Sequence, residues 1–164
     1  MSEITREPSR FGIAVAAGFG LLAVAATGIV VPAGAAVAGI GLVVLLVGLA
    51  LPSRRLITNG AGVVLLGVLY AGYTGAPPVP LLVAALGGVL AWDAASNAVS
   101  VGEQLGKESE TVRGEVVHVA SSFVAGSVAI AVGYAVYLTA AGGQPMAAVF
   151  LLVVGAVALV NALR

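Results

Sequence analysis

Five polar side chains stand inside otherwise apolar sequence and could act together: Asp93, Asn97, His118, Ser121 and Ser122. Asp93 and Asn97 are four apart, as are His118 and Ser122, so on helices each pair shares a face. A carboxylate and an imidazole at similar depth are the parts of an ion or proton site. Histidine changes charge near neutral pH, and an acid within a membrane span tends to mark a pathway. A second reading takes the same residues as the wet end of an amphipathic helix. From Trp92 to Lys107, Asp93, Asn97, Ser100 and Gln104 recur on one face, while Ala94, Ala98, Val101 and Leu105 recur on the other. Asp93 would lie about 21 Å along a helix that begins near Val79, in the inner third of a bilayer. The cost of a charge falls steeply toward the interface, which favours the solvated face, with Trp92 marking the inner boundary. In that reading His118 is a hydrogen-bonded packing residue.

Other chemistry finds no residues to carry it. The chain has 0 Cys and 1 His, which removes disulfides, thiolate nucleophiles and iron–sulfur clusters and disfavours a transition-metal site. Seven Lys and Arg balance seven Asp and Glu, so no global basic surface gathers nucleic acid. There is no P-loop, GxSxG elbow or HExxH, and no second intramembrane acid pairs with Asp93. Ser121, Ser122 and His118 share one helix, which does not set a serine against a base on a neighbouring element. The expectation is a noncatalytic protein without cofactor, metal or nucleic-acid partner.

The elements that must position the polar residues follow from composition. Of 164 residues, 60% are apolar and 9% charged, against about 45–50% and about 25% in soluble domains. No charged residue occurs from Phe11 to Ser53, from Leu56 to Trp92, or from Val116 to Leu163. Turn residues at Pro32–Gly34, Gly75–Pro80 and Gly142–Pro145 divide these runs. The expected spans are 11–31, 35–52, 56–74, 79–101, 115–140 and 145–163, each long enough to cross about 30 Å of hydrocarbon. This predicts an all-α, polytopic transmembrane bundle of six helices in three hairpins. A short N-terminal segment, 1–10, precedes a transmembrane domain, 11–164, with a polar loop at 102–114. The first apolar run, about 21 residues, exceeds a signal-peptide core and is read as an uncleaved span, and no lipidation motif is present.

Orientation follows from the basic residues. Arg6, Arg10, Arg54, Arg55, Lys107, Arg113 and Arg164 all fall at hairpin bases on one side, which places both termini and the 102–114 loop in the cytoplasm of a cell-membrane protein. Tyr70 and Tyr73 then sit at the outer end of span three, and Tyr134 and Tyr137 at the outer end of span five, as interfacial anchors. Aligning Tyr70 with Tyr134 superposes Tyr73 on Tyr137 and Gly62 on Gly126, a weak parallel repeat of the second hairpin in the third. Small residues four apart, Ala14 with Gly18, Ala84 with Gly88, Ser122 with Gly126 and Ala129 with Gly133, are expected to pack inside the bundle or against a partner. Gly102 with Gly106 is read as a helix-ending feature. Within the polar loop, Glu108, Glu110 and Glu115 with Lys107 and Arg113 are expected to be solvated and to offer a docking surface to a soluble partner. The bilayer is the first partner; a membrane or cytoplasmic protein is the second, and the oligomeric state stays open.

The segments AWDAASNAVSVGEQLGKES (Ala91 to Ser109) and EVVHVASSFVAGSVAIAVGYAVY (Glu115 to Tyr137) resemble a family of small integral membrane proteins from halophilic archaea. Such proteins resemble the products of genes near MoxR-type ATPases, which implies an accessory role in a multiprotein system. No functional residues are assigned to that family, so none carry over. Six Arg against one Lys, with abundant Ala, Val and Gly, fits a GC-rich genome.

Overall fold

The computed structural model describes residues 8–105 and 112–140, and every element among them is an α-helix. In chain order these are α1 (Arg10–Val30), α2 (Pro32–Ala50), α3 (Arg54–Tyr73), α4 (Pro78–Leu105) and α5 (Val112–Ala140). All five are long and apolar enough to cross a membrane. The sixth expected span, 145–163, lies outside the described residues, among which there are five helices. The chain divides into two compact units, Met1–Gly126 and Ser127–Arg164.

Local chemistry sets the helix ends. Ser9 caps α1 by accepting a hydrogen bond from the Gly12 amide at 3.0 Å, and Ser53 caps α3 through the Leu56 amide at 3.4 Å. The turn expected over Pro32–Gly34 is reduced to one extended residue, Val31. Proline is accommodated at the first helical position because its missing N–H would be unpaired there anyway, so Pro32 starts α2 and does not separate it from α1. After α3, Gly75 takes the left-handed φ of +87°, and the amides of Gly75 and Ala76 close the helix end on the carbonyls of Gly72 and Ala71. Helix α4 continues to Leu105 and α5 begins at Val112. The first four and last three residues of the expected 102–114 loop are therefore helical, and Gly102 is a buried position within α4, not its end.

In the first unit, α2 packs on α3 and α1 on α4. Both contacts are antiparallel seams of small residues. On α2, Gly34, Ala38, Gly41, Leu45 and Gly48 recur at steps of four and three; on α3, Gly60, Val64, Gly67 and Ala71 do the same, and all are buried. A Cβ added at Gly60 would lie 2.7 Å from the Gly41 carbonyl oxygen and 2.8 Å from Leu45 Cα; one at Gly41 would lie 2.6 Å from the Gly60 carbonyl oxygen. The two backbones thus touch directly, the geometry that gains van der Waals contact where lipid removes the hydrophobic drive. The α1–α4 seam repeats the device, with Gly87 against the backbone of Phe19 and Ala23 and Gly12 against Ala98. The core between the pairs includes Ala16, Leu45, Leu49, Ile57, Ala91, Ala95 and Val99. Thr27, fully buried, returns its hydroxyl to the Ala23 carbonyl at 2.8 Å.

Of the expected small-residue faces, Ala84 with Gly88 is buried, and Gly126 lies under Leu86. Ala14 with Gly18 is instead exposed, with open space around Gly18, and Gly133 is likewise open. The seam of α1 runs two residues away, along Gly12, Ala16, Gly20 and Ala23. Gly62 is open whereas Gly126 is covered, so the two glycines aligned by the weak repeat have different surroundings. Large side chains point outward from the same helices, Ile29 at 83% and Leu69 at 67% exposure among them, the inverse of a soluble core and the surface that lipid solvates.

Candidate functional site

Helix directions bring the described charged groups other than Asp93 to one end. Gly12 beside Ala98 and Gly87 beside Ala23 make α1 and α4 antiparallel. Arg54 on α3 reaches Glu103 on α4 at 2.8 Å and donates to Ser100 Oγ at 3.0 Å. Ser9 meets Glu115, and Phe19 stacks on Phe123 with centroids 6.4 Å apart, so α5 runs parallel to α1. Arg10, Arg54, Arg55, Glu103, Arg113 and Glu115 consequently share the end formed by the starts of α1, α3 and α5 and the finish of α4. Arg6, Lys107 and Arg164 lie outside the described residues.

The polar residues meet where α5 crosses α4. His118 Nε2 lies 2.9 Å from Asp93 Oδ2, and the two side chains are 38% and 30% exposed. The Nε2 atom itself is shielded and makes no hydrogen bond of acceptable angle, so the pair is a charge contact that becomes an ion pair when the imidazole is protonated. Asn97 and Ser122 are half-buried, and neither is hydrogen-bonded to the pair. The reason is geometric: on antiparallel helices, four residues on from Asp93 leads toward the charged end, whereas four residues on from His118 leads away from it. The two therefore sit about 12 Å apart along the axis at about 1.5 Å per residue. Ser121 donates to the His118 carbonyl of its own helix at 2.8 Å.

One residue assigned to the solvated loop belongs to the site. Glu115 is 3% exposed and accepts a hydrogen bond from Ser9 Oγ, the same oxygen that caps α1. Because α5 starts at Val112, Glu115 is already one turn into the helix and faces α1. A carboxylate there is favoured by the positive ends of two helix dipoles. The legible signal was helical spacing: Glu115, His118 and Ser122 are three and seven residues apart and share a face. Among the described residues no group of three His, Cys, Asp or Glu could hold a metal ion.

The tyrosines stand toward helix ends, whereas Trp92 lies midway along α4. Trp92 Nε1 donates to Thr58 Oγ1 at 3.3 Å, one turn into α3 from Arg54. Tyr70 and Tyr73 close the far end of α3, Tyr73 being 90% exposed. In the second unit, Tyr134 and Tyr137 stack with centroids 6.1 Å apart near the C-terminal end of α5.

Five apolar spans, which are all the elements among the described residues, with charged residues gathered at one end and large apolar side chains turned outward, define a helical membrane protein. The chain belongs to DUF7519, a family of unknown function, whose model matches residues 6–160. No curated protein and no solved structure matches it.

Proposed function

We propose that this protein is a noncatalytic scaffold or accessory subunit of a membrane complex, with a sixth span at 145–163 and with both termini and the charged end in the cytoplasm. The observation that carries this reading is the distribution of side-chain size. Glycine and alanine make the closest contacts of the α1–α4 and α2–α3 seams, a few large side chains such as Leu45, Ile57 and Val64 fill the core, and many others, Ile29 and Leu69 among them, are displayed outward, so the seams are spent on closeness and the surface on neighbours. The most apolar stretch of α5 contains no buried residue at all, which leaves a full helix side for lipid or a partner helix. The positive-inside pattern supports the orientation. The resemblance noted from sequence, to products of genes near MoxR-type ATPases, supports an accessory role in a multiprotein system, with a soluble partner meeting the membrane protein at 102–114. Affinity purification in mild detergent tests it: a soluble partner should copurify with the native chain and be lost when 106–111 is replaced by a Gly/Ser segment. Recovery of the native chain alone, as a stable monomer, contradicts it.

A second reading has its own observation. The Asp93–His118 contact, 2.9 Å between Nε2 and Oδ2 within spanning helices, favours a small transporter or channel component using Asp93, Asn97 and His118. In liposomes, Asp93→Asn should abolish a pH-dependent flux; an unchanged flux removes the residue from any transport step.

A further inference from the structure

We propose that the seam between α4 and α5 is a water-filled vestibule, open at the charged end and closed at depth by Leu86, which delivers water and hydrated protons to the Asp93–His118 pair. Two polar stripes line it. On α4 the half-buried residues Asn97 and Asp93 lead inward, flanked by Ser100, which Arg54 of α3 holds together with Glu103. The descent from Glu103 to Asp93 is about 15 Å at about 1.5 Å per residue. On α5 the face turned to the core carries Glu115, His118 and Ser122 in the same direction. The α4 stripe stops at Asp93 and the α5 stripe at Ser122, about 6 Å deeper at about 1.5 Å per residue. Beyond Ser122 comes Gly126, where an added Cβ would lie 2.6 Å from Leu86 Cδ1, so the leucine rests flat on the α5 backbone. On the α1 side the Phe19–Phe123 stack, its rings 19° from parallel, covers the same depth.

The physical requirement for water comes from partial exposure. Asp93 and His118 are 30% and 38% exposed, so the described residues do not seal them, and hydrocarbon cannot solvate a carboxylate or an imidazole edge. Water entering from the charged end satisfies both. The groups facing His118 are Asp93 from α4 and, one turn toward the mouth on its own helix, Glu115, whose carboxylate is engaged by Ser9 of α1. A proton taken up by the imidazole converts the contact with Asp93 into an ion pair. This deepens the transport reading by naming its ligand, while water access itself is independent of any flux.

The absence of cysteine makes the test direct. Single-cysteine full-length chains Asn97→Cys and Ser122→Cys, reconstituted in liposomes, are treated with a charged, membrane-impermeant methanethiosulfonate. Val124→Cys, 60% exposed on the outer side of α5 at neighbouring depth, is the lipid-facing control, and Leu82→Cys reports the region beyond Leu86. Only a hydrated thiol ionises and reacts, so Asn97→Cys and Ser122→Cys should react at least about tenfold faster than Val124→Cys, with Leu82→Cys as slow as the control. Equal rates at 97, 122 and 124 would overturn the vestibule, and fast reaction at Leu82→Cys would overturn its closure. Fast reaction at 97 and 122 combined with a flux indifferent to Asp93→Asn supports the vestibule and removes the transport reading alone.

Discussion

Gly60→Ala and Gly62→Ala are the same chemical change two positions apart on one helix, and the structure gives them opposite outcomes. The methyl at residue 60 would meet backbone, with the Gly41 carbonyl oxygen at 2.7 Å and Leu45 Cα at 2.8 Å; ordinary contact begins near 3.4 Å. Neither atom belongs to a flexible side chain, so the α2 and α3 axes must separate by roughly half an ångström or more, opening the seam along its length. Overpacking of this kind costs about 1–3 kcal/mol. At residue 62 the methyl enters open space. Both changes gain the same helix-propensity advantage of alanine, about 0.5–1 kcal/mol, so this contribution cancels in the comparison. Gly62→Ala should be as stable as the native chain or slightly more so, with Gly60→Ala about 1–3 kcal/mol below it. The assay is reversible unfolding in mixed micelles of rising denaturing-detergent fraction, followed by helical circular dichroism and by fluorescence of Trp92, which contacts α3 through Thr58. Equal stability of the two variants would refute the direct backbone contact between α2 and α3.

Four further outcomes follow from the charged end and the site. Glu115→Ala and Ser9→Ala should each destabilise the chain: the first leaves the Ser9 hydroxyl without its acceptor, whereas the second loses a helix cap worth about 0.5–2 kcal/mol and also takes a donor from the buried carboxylate. The same unfolding assay measures both. Gly12→Ala, whose methyl would lie 2.8 Å from Ser9 Oγ and 3.1 Å from Glu115 Oε2, should lower stability by an amount similar to Gly60→Ala. Arg54→Ala should cost under about 1 kcal/mol, because its bridge to Glu103 is half exposed and screened, and should matter still less at high salt. Trp92→Phe keeps the ring but loses the indole donor to Thr58, so it should leave unfolding almost unchanged when followed by circular dichroism.

The membrane class and most helix positions were legible because they depend on coarse quantities, the length of uncharged runs and the place of basic residues. Finer boundaries were harder. Pro32 reads as a breaker in isolation, and only the geometry of a helix start makes it the first residue of α2. The wet face from Asp93 to Gln104 was read as helical, yet residues from 102 onward were also assigned to the loop, because a polar surface resembles a loop when hydropathy is the guide. The packing faces were least legible. With 23 glycines in the chain, small residues recur at every spacing, and nothing local distinguishes Ala14 with Gly18 from Gly12 with Ala16. The choice is made by α4, which presents Ala98 and Gly87 to the latter face. Asp93 and His118 were singled out and lie in contact; Glu115 was passed over because charge density suggested a loop, although its spacing to His118 placed it on the same helical face.

Lipid solvates this chain, and the proposed orientation puts its charged end toward the cytoplasm; impermeant labelling of single cysteines in intact cells tests both most directly. Ala76→Cys, in the turn between α3 and α4, and Gly143→Cys should react from outside, whereas Glu108→Cys should react only after the membrane is permeabilised. Labelling of Glu108→Cys in intact cells, or protection of Ala76→Cys, would contradict the orientation. Equal labelling of all three in a soluble fraction would contradict the membrane itself.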